Sequence, residues 1–268
     1  MTDDFVKAAA ALDMPEILDR LFFPRRELAA ERGPANGSSY AIEVAENITI
    51  SCRFYRAADD APSILYFHGN GEIAVDYDYV APVYVERRIN LFVADYRGYG
   101  RSGGKPTCAA LIADSHALFD GFMALLGDLG YAEYCFVMGR SLGSAAAIEV
   151  ARRYQETLMG LIVESGFSSQ TNQLERIGAA HLFEQPEKVI GFGNDIKIRE
   201  VAIPTLIIHG EEDTIIPASE GRALYSLSGA AHRKSLFVPG AGHNDLMEVA
   251  LDRYMGAVAS FVAQPSAP

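Results

Sequence analysis

Cysteine is scarce in this chain: Cys52, Cys108 and Cys135 are the only three in 268 residues. An odd, widely spaced set with no C-x-x-C pair argues against a disulfide framework and against a thiolate zinc site. Basic residues are also in deficit, 23 Lys and Arg against 35 Asp and Glu, for a formal charge of −12. A nucleic-acid binder needs clustered cations to track phosphates, and an anionic membrane surface selects for the same sign, so both are disfavoured as partners. No apolar run reaches the ~18 residues that a spanning helix requires. The opening Met1-Thr-Asp-Asp-Phe-Val-Lys7 lacks the basic and apolar regions of a secretory signal. Together these absences predict a soluble, cytoplasmic protein with reduced thiols and no stable membrane insertion.

What is present is a core-forming composition, 49% apolar and 22% charged, in a length compatible with one large α/β sheet. Residues 41–44 and 48–55 alternate with the two-residue period of a half-buried hairpin. Six runs then read as strands covered on both faces, because they are apolar at nearly every position: 64–67, 91–94, 134–138, 161–163, 205–208 and 235–238. Helical segments separate them. In 107–126, Leu111, Leu118, Phe122, Leu125 and Leu126 recur near the 3.6 period behind Thr107 as N-cap. This rhythm predicts right-handed crossovers and a mostly parallel sheet with helices on both faces. The segment 167–200 is longer than one crossover helix needs and reads as a small helical insertion within a single domain spanning 1–268.

The chemistry gathers around Gly139-Arg-Ser-Leu-Gly143, a G-x-S-x-G pentapeptide between a strand and the helix former Ser144-Ala-Ala-Ala-Ile-Glu. That setting places Ser141 at the apex of a strained strand-to-helix turn, where flanking glycines let the two elements approach closely. The hydroxyl then faces the N–H groups of a helix N-terminus, which favour developing negative charge. A serine needs a base. Of the six histidines, His243 follows the last strand on the Gly-rich loop Pro239-Gly-Ala-Gly-His243, whereas His68 and His209 close strands in His-Gly steps. The base in turn needs a carboxylate. Asp213, in Gly210-Glu-Glu-Asp-Thr-Ile-Ile-Pro217, is the first choice, with Glu164 at the end of 161–163 as the rival. Oxyanion donors are expected from the N–H groups of Leu142 and of Asn70 in His68-Gly-Asn-Gly71.

These elements, together with Asp95-Tyr-Arg-Gly-Tyr-Gly-Arg-Ser-Gly103, follow the order Ser, Asp, His over nearly the whole chain. The chain resembles the α/β-hydrolase superfamily, and within it the short-cap serine hydrolase and esterase branch carrying His-Gly-Asn and Asp-Tyr-Arg-Gly-Tyr-Gly. The resemblance implies an eight-stranded, mostly parallel sheet and places 95–102 as a fold-supporting loop near the site. It also implies relatives that include esterase-like proteins and lipid or protein-thioester hydrolases. The acidic, Tyr-rich run 72–79 departs from the pattern and reads as the start of a helix. A serine carboxylesterase acting on small to medium esters is the leading expectation. A peptidase of the same fold and a non-catalytic binding protein are the alternatives. Phe167, Leu182 and Phe183 in the insertion are expected to form an apolar substrate pocket. Neither a metal nor an organic cofactor is implied, since the triad and oxyanion donors suffice for the reaction.

Overall fold

The computed structural model describes residues 4–27 and 37–263. Its eight strands are β1 (Gly37–Ala45), β2 (Ile48–Tyr55), β3 (Ser63–Phe67), β4 (Asn90–Ala94), β5 (Cys135–Arg140), β6 (Gly160–Glu164), β7 (Thr205–Gly210) and β8 (Arg233–Val238). They form one sheet in the order β1-β2-β4-β3-β5-β6-β7-β8. β1 pairs antiparallel with β2, and β2 with β4, while every later pair is parallel. The helices are α1 (Asp4–Ala10), α2 (Pro15–Leu21), α3 (Ala81–Val85), α4 (Cys108–Leu129), α5 (Ser144–Arg153), α6 (Gln170–Arg176), α7 (Asn194–Glu200), α8 (Ala218–Leu227) and α9 (Leu246–Val262).

Alternation along the strands splits the core in two. Leu65, Phe67, Phe92, Val137 and Ile207 face one side, where α1, α4, α5 and α7 contribute Ala9, Phe122, Ala147 and Ile198. Ile64, Tyr66, Val93, Met138 and Ile208 face the other, against Tyr84 of α3 and Tyr254 and Val258 of α9. From β3 to β7 both faces are dry, which is why these strands are apolar at successive positions rather than alternately. The edge strand β8, expected to be covered on both faces, instead leaves Ser235 exposed and Leu236 and Phe237 half-buried, because no strand follows it in the sheet.

α4 begins as its sequence predicts, with the Thr107 hydroxyl accepting the Ala110 N–H at 3.0 Å. It ends at Gly130, whose φ of 72° only glycine adopts without strain. By length and composition this helix is apolar enough to cross a membrane, although Asp114, His116 and Asp120 interrupt its apolar run. Half of its apolar stretch is buried inside the fold, as for a core helix. At Gly121 it meets β1, where a Cβ would lie 2.7 Å from the Ile42 side chain.

The segment expected as an insertion, 167–200, holds α6, the short 3-10 turns Ala180–Leu182 and Pro186–Lys188, and α7. Its last part differs from expectation, because α7 packs on α5 and α8. Buried Lys197 donates to the Ala145 carbonyl at 3.2 Å and lies 3.5 Å from Glu149. The helical cover of the sheet therefore resumes at Asn194.

Candidate active site

Four loops leave the carboxyl ends of β3, β5, β7 and β8, and parallel pairing brings those ends to one edge. At the end of β5 the chain turns through Ser141 with φ of 52°, the left-handed region that costs a non-glycine residue about 1–3 kcal/mol. The flanking glycines explain how the turn closes. A Cβ at Gly139 would overlap the Gly143 carbonyl, and one at Gly143 would overlap the Phe67 carbonyl of β3. The Ser144 hydroxyl donates to the Ser141 carbonyl at 2.6 Å, fastening the first turn of α5 to the apex.

His243 Nε2 stands 3.0 Å from Ser141 Oγ, and its Nδ1 is 2.6 Å from Asp213 Oδ2. All three residues are less than a tenth exposed. The other oxygen of Asp213 accepts the N–H groups of Ile215 and Ile216 at 2.9 and 2.8 Å. Burial opposes ionisation of this carboxyl, but the bonds from His209 and His243 and the Ile216 N–H outweigh it and hold it well below the usual carboxylate range. His209, in its His-Gly step at the end of β7, ties the same loop, with Nε2 2.8 Å from the Ile216 carbonyl and 3.3 Å from Asp213. Glu164, the rival acid, is instead engaged by Arg140 Nε at 3.2 Å and by the Tyr254 hydroxyl at 2.6 Å.

Asn70 and Leu142 line the same cleft as Ser141 and His243. Both ends of the Asn70 side chain are engaged. Its Nδ2 donates to the Leu21 carbonyl at 2.7 Å, and its Oδ1 accepts the Phe23 N–H at 2.9 Å and the Tyr99 hydroxyl at 2.7 Å. The side chain is thus tied to the N-terminal segment. Asp95 accepts the Ala74 N–H at 2.8 Å, and the Tyr96 hydroxyl donates to the His68 carbonyl at 2.5 Å. The loop 95–102 thereby supports the loop after β3, the place the family resemblance gave it. The run 72–79 does begin a short 3-10 helix, Ala74–Asp78, but Glu72 ahead of it accepts the Gly69 N–H at 2.9 Å.

The cleft measures about 320 Å³. Its apolar wall is not the one expected from sequence. Leu21 and Phe23 come from the N-terminal segment, Ile177 from the end of α6, and Ile215 and Ile216 from the loop after β7. Phe167, Leu182 and Phe183 do not line it. Phe167 is buried against Phe192, with ring centroids 5.9 Å apart, and Leu182 and Phe183 pack on the edge of the core. Their apolar character reflects packing of the insertion itself. Residues 15–23 carry no motif, so nothing local reveals that they reach the site. The tie is tertiary, through the Asn70 bonds and through Arg20, which donates to the Ile177 and Gly178 carbonyls at 3.2 and 2.5 Å.

A second cavity of about 290 Å³ adjoins the first, sharing Arg140 and Asn244. Tyr66, Tyr77, Tyr84 and Tyr254 line it with Glu72 and Glu164. Burial and the neighbouring carboxylates push these phenols far up, so they serve as hydrogen-bond donors.

Comparison with known proteins agrees with this geometry. Residues 59–191 match the family model Hydrolase_4, described as serine aminopeptidase S33. The chain is 33% identical over 224 residues to human alpha/beta hydrolase domain-containing protein 17B, covering 80% of this chain and 71% of that protein. It is 29% identical over 211 residues to protein bem46 of Schizosaccharomyces pombe, covering 77% and 69%. Among solved structures, the esterase Pf2001 of Pyrococcus furiosus superposes with a TM-score of 0.70 at 18% identity, over 89% of this chain and 97% of that one. A complex of DcsB with its substrate analogue gives 0.67 at 17% identity, over 84% and 98%. The low identities make these two likenesses of fold. The sequence relatives, the sheet order and the strained serine turn after β5 together establish that this chain is a hydrolase of the α/β-hydrolase superfamily.

Proposed function

We propose that the chain is a serine hydrolase that cleaves small to medium carboxylic esters, thioesters included, through an acyl-enzyme on Ser141. The observation that carries this reading is the relay from Ser141 through His243 to Asp213, at 3.0 and 2.6 Å, with the serine held at positive φ. In the first half-reaction His243 Nε2 takes the Ser141 proton as Oγ attacks the carbonyl carbon. Ionised Asp213 orients the ring and stabilises the imidazolium. The N–H groups of Leu142 and Asn70 receive the oxyanion, and His243 returns the proton to the departing alcohol or thiol. Water, deprotonated by the same nitrogen, then attacks the acyl carbonyl, releasing the carboxylic acid and restoring Ser141. No step draws on a metal or organic cofactor.

Leu21, Phe23, Ile177, Ile215 and Ile216 give the cleft an apolar wall suited to a short acyl chain or alcohol. A fluorophosphonate probe should label wild type and leave Ser141→Ala unlabelled, and a p-nitrophenyl ester series should be turned over by wild type alone. Equal labelling of both proteins would refute the reading. So would failure to hydrolyse any ester, which would favour a binding protein on a hydrolase scaffold.

The family model's name favours amide cleavage as a second reading. An aminopeptidase needs an acidic group to hold the substrate's free ammonium. The cleft lining contains Arg20, Arg140 and Arg176, and no carboxylate among its described residues. Ester turnover is therefore expected to exceed that of aminoacyl p-nitroanilides. The opposite ranking would reverse the assignment.

A further inference from the structure

The residue just ahead of the nucleophile, Arg140, has its guanidinium nearly buried at the boundary of the two cavities. Each of its nitrogens has a separate task. Nε donates to Glu164 Oε1 at 3.2 Å, at the end of β6. Nη1 donates to Glu72 Oε1, and the other oxygen of Glu72 accepts the Gly69 N–H and the Tyr77 hydroxyl at 2.9 and 2.7 Å. Nη2 donates to the main-chain carbonyl of His243 at 2.9 Å and to Asn244 Oδ1 at 2.7 Å. One planar group therefore ties the serine turn to three other strand ends. It reaches the base through its own carbonyl, and the oxyanion loop through the N–H that immediately precedes Asn70.

We propose that Arg140 is a positioning residue that holds the Ser141 turn, the Asn70 loop and the His243 loop in mutual register for acyl transfer. The proposal rests on the serine-hydrolase reading of the site. Gly210 and Gly242 bring the β7 and β8 loops close together, but among the described residues no other side chain bonds both the His243 loop and the partner of the Gly69 N–H. An ammonium group cannot replace this arrangement. Lysine is a compact point charge with three donors, whereas these acceptors lie around the edge of a planar fork. The pairing also fixes the charge state. Burial disfavours the guanidinium, but Glu72 and Glu164 more than compensate, so Arg140 stays cationic throughout turnover.

The test compares wild type with Arg140→Lys, Arg140→Ala and Glu72→Gln, using a neutral p-nitrophenyl ester, the fluorophosphonate labelling rate and thermal unfolding. Displacement of a reacting group by a fraction of an ångström to one ångström lowers kcat by about 10–100-fold. That loss is expected for Arg140→Lys, with KM within about twofold of wild type and a parallel fall in labelling rate. A smaller loss in the same direction is expected for Glu72→Gln, which keeps the size of the side chain and serves as the test should Arg140→Lys fail to fold. Added guanidinium ion should restore part of the kcat of Arg140→Ala, and urea at the same concentration should not. Unchanged kcat in folded Arg140→Lys and Glu72→Gln would overturn the role. Activity losses that only track the fraction of unfolded protein, with no guanidinium rescue, would overturn it too. Wild type that neither labels nor hydrolyses esters would instead overturn the underlying hydrolase reading, and the positioning role with it.

Discussion

Ser141, His243 and Asp213 form a unit, so their removal should not be additive. Ser141→Ala or His243→Ala alone is expected to lower kcat on the order of 10⁴–10⁶-fold, and the double variant should lose little more. Single-turnover and steady-state rates on one ester would check this. Asp213→Asn should cost on the order of 10⁴ in kcat, because an amide in that place favours the wrong imidazole tautomer. The amide oxygen left at this position can still accept the N–H groups of Ile215 and Ile216, so the variant should remain folded. The pH profile separates the roles of base and acid. The Asp213 carboxyl lies well below the usual carboxylate range and stays ionised through mild acid, whereas a histidine base loses function once imidazole takes up a proton. The rate should therefore fall on acidification, and a flat kcat/KM between about pH 5 and 8 would contradict His243 as base.

At the scale of elements, the turn after β5 and the support of α6 make separate demands. Gly143→Ala would drive a methyl into the Phe67 carbonyl of β3. It should destabilise the fold by about 2–4 kcal/mol, measured by denaturant unfolding, and disturb the serine turn at the same time. Glu220 of α8 holds the start of α6. It is 3% exposed and accepts the Ser168 and Ser169 N–H groups at 2.8 and 2.9 Å, the Ser168 hydroxyl at 2.7 Å and Asn172 Nδ2 at 2.6 Å. Burial opposes its ionisation, but the Asn172, Ser169 and Ser168 bonds prevail and bring the carboxyl from 4.5 to about 2. A folded value below the unfolded one means stability that is present above about pH 4.5 and lost as pH falls toward about 2. Glu220→Gln should accordingly be less stable than wild type at neutral pH, and the gap should narrow below pH 4.5. Equal stability at neutral pH would contradict this account. The elements themselves were legible because apolar runs, caps and turn glycines are local signals. The hairpin, the six later strand runs and the Thr107 cap all appear where their residues place them. The end of the insertion was not legible, since the buried Lys197 that commits α7 to the sheet's cover reads in sequence as a surface charge.

For the whole molecule, the cleft is a joint product of distant segments. Phe23 and Ile215, far apart in sequence, both line the cleft and are 58% and 53% exposed, apolar groups left open to whatever enters. Phe23→Ala and Ile215→Ala should lower kcat/KM for butyrate and hexanoate esters more than for acetate, by about tenfold for each well-buried pair of methylenes lost from contact. Phe183→Ala should leave the chain-length profile unaltered, because that ring does not line the cleft. A profile that responds to Phe183 and ignores Phe23 would restore the pocket expected from sequence. The overall charge of −12 gives no guide to this site, where Arg20, Arg140 and Arg176 gather despite the acidic total.

The sequence by itself determined the sheet, the order of the chemical groups along it and the nomination of Ser141, His243, Asp213, Asn70 and Leu142. Each of these is announced locally, by a glycine the backbone requires or by a residue directly following a strand. Only the tertiary structure decided which acid faces His243, for Glu164 ends β6 and Asp213 lies just past the end of the neighbouring β7, on the same edge of the sheet. It also decided that Arg140 binds three loops and that residues 20–23 wall the cleft. The physical reason is that hydrogen-bond partners and pocket walls depend on distances between segments some 24 to 103 residues apart in sequence. No local periodicity or motif records those distances; the packing of side chains on the two faces of the sheet fixes them.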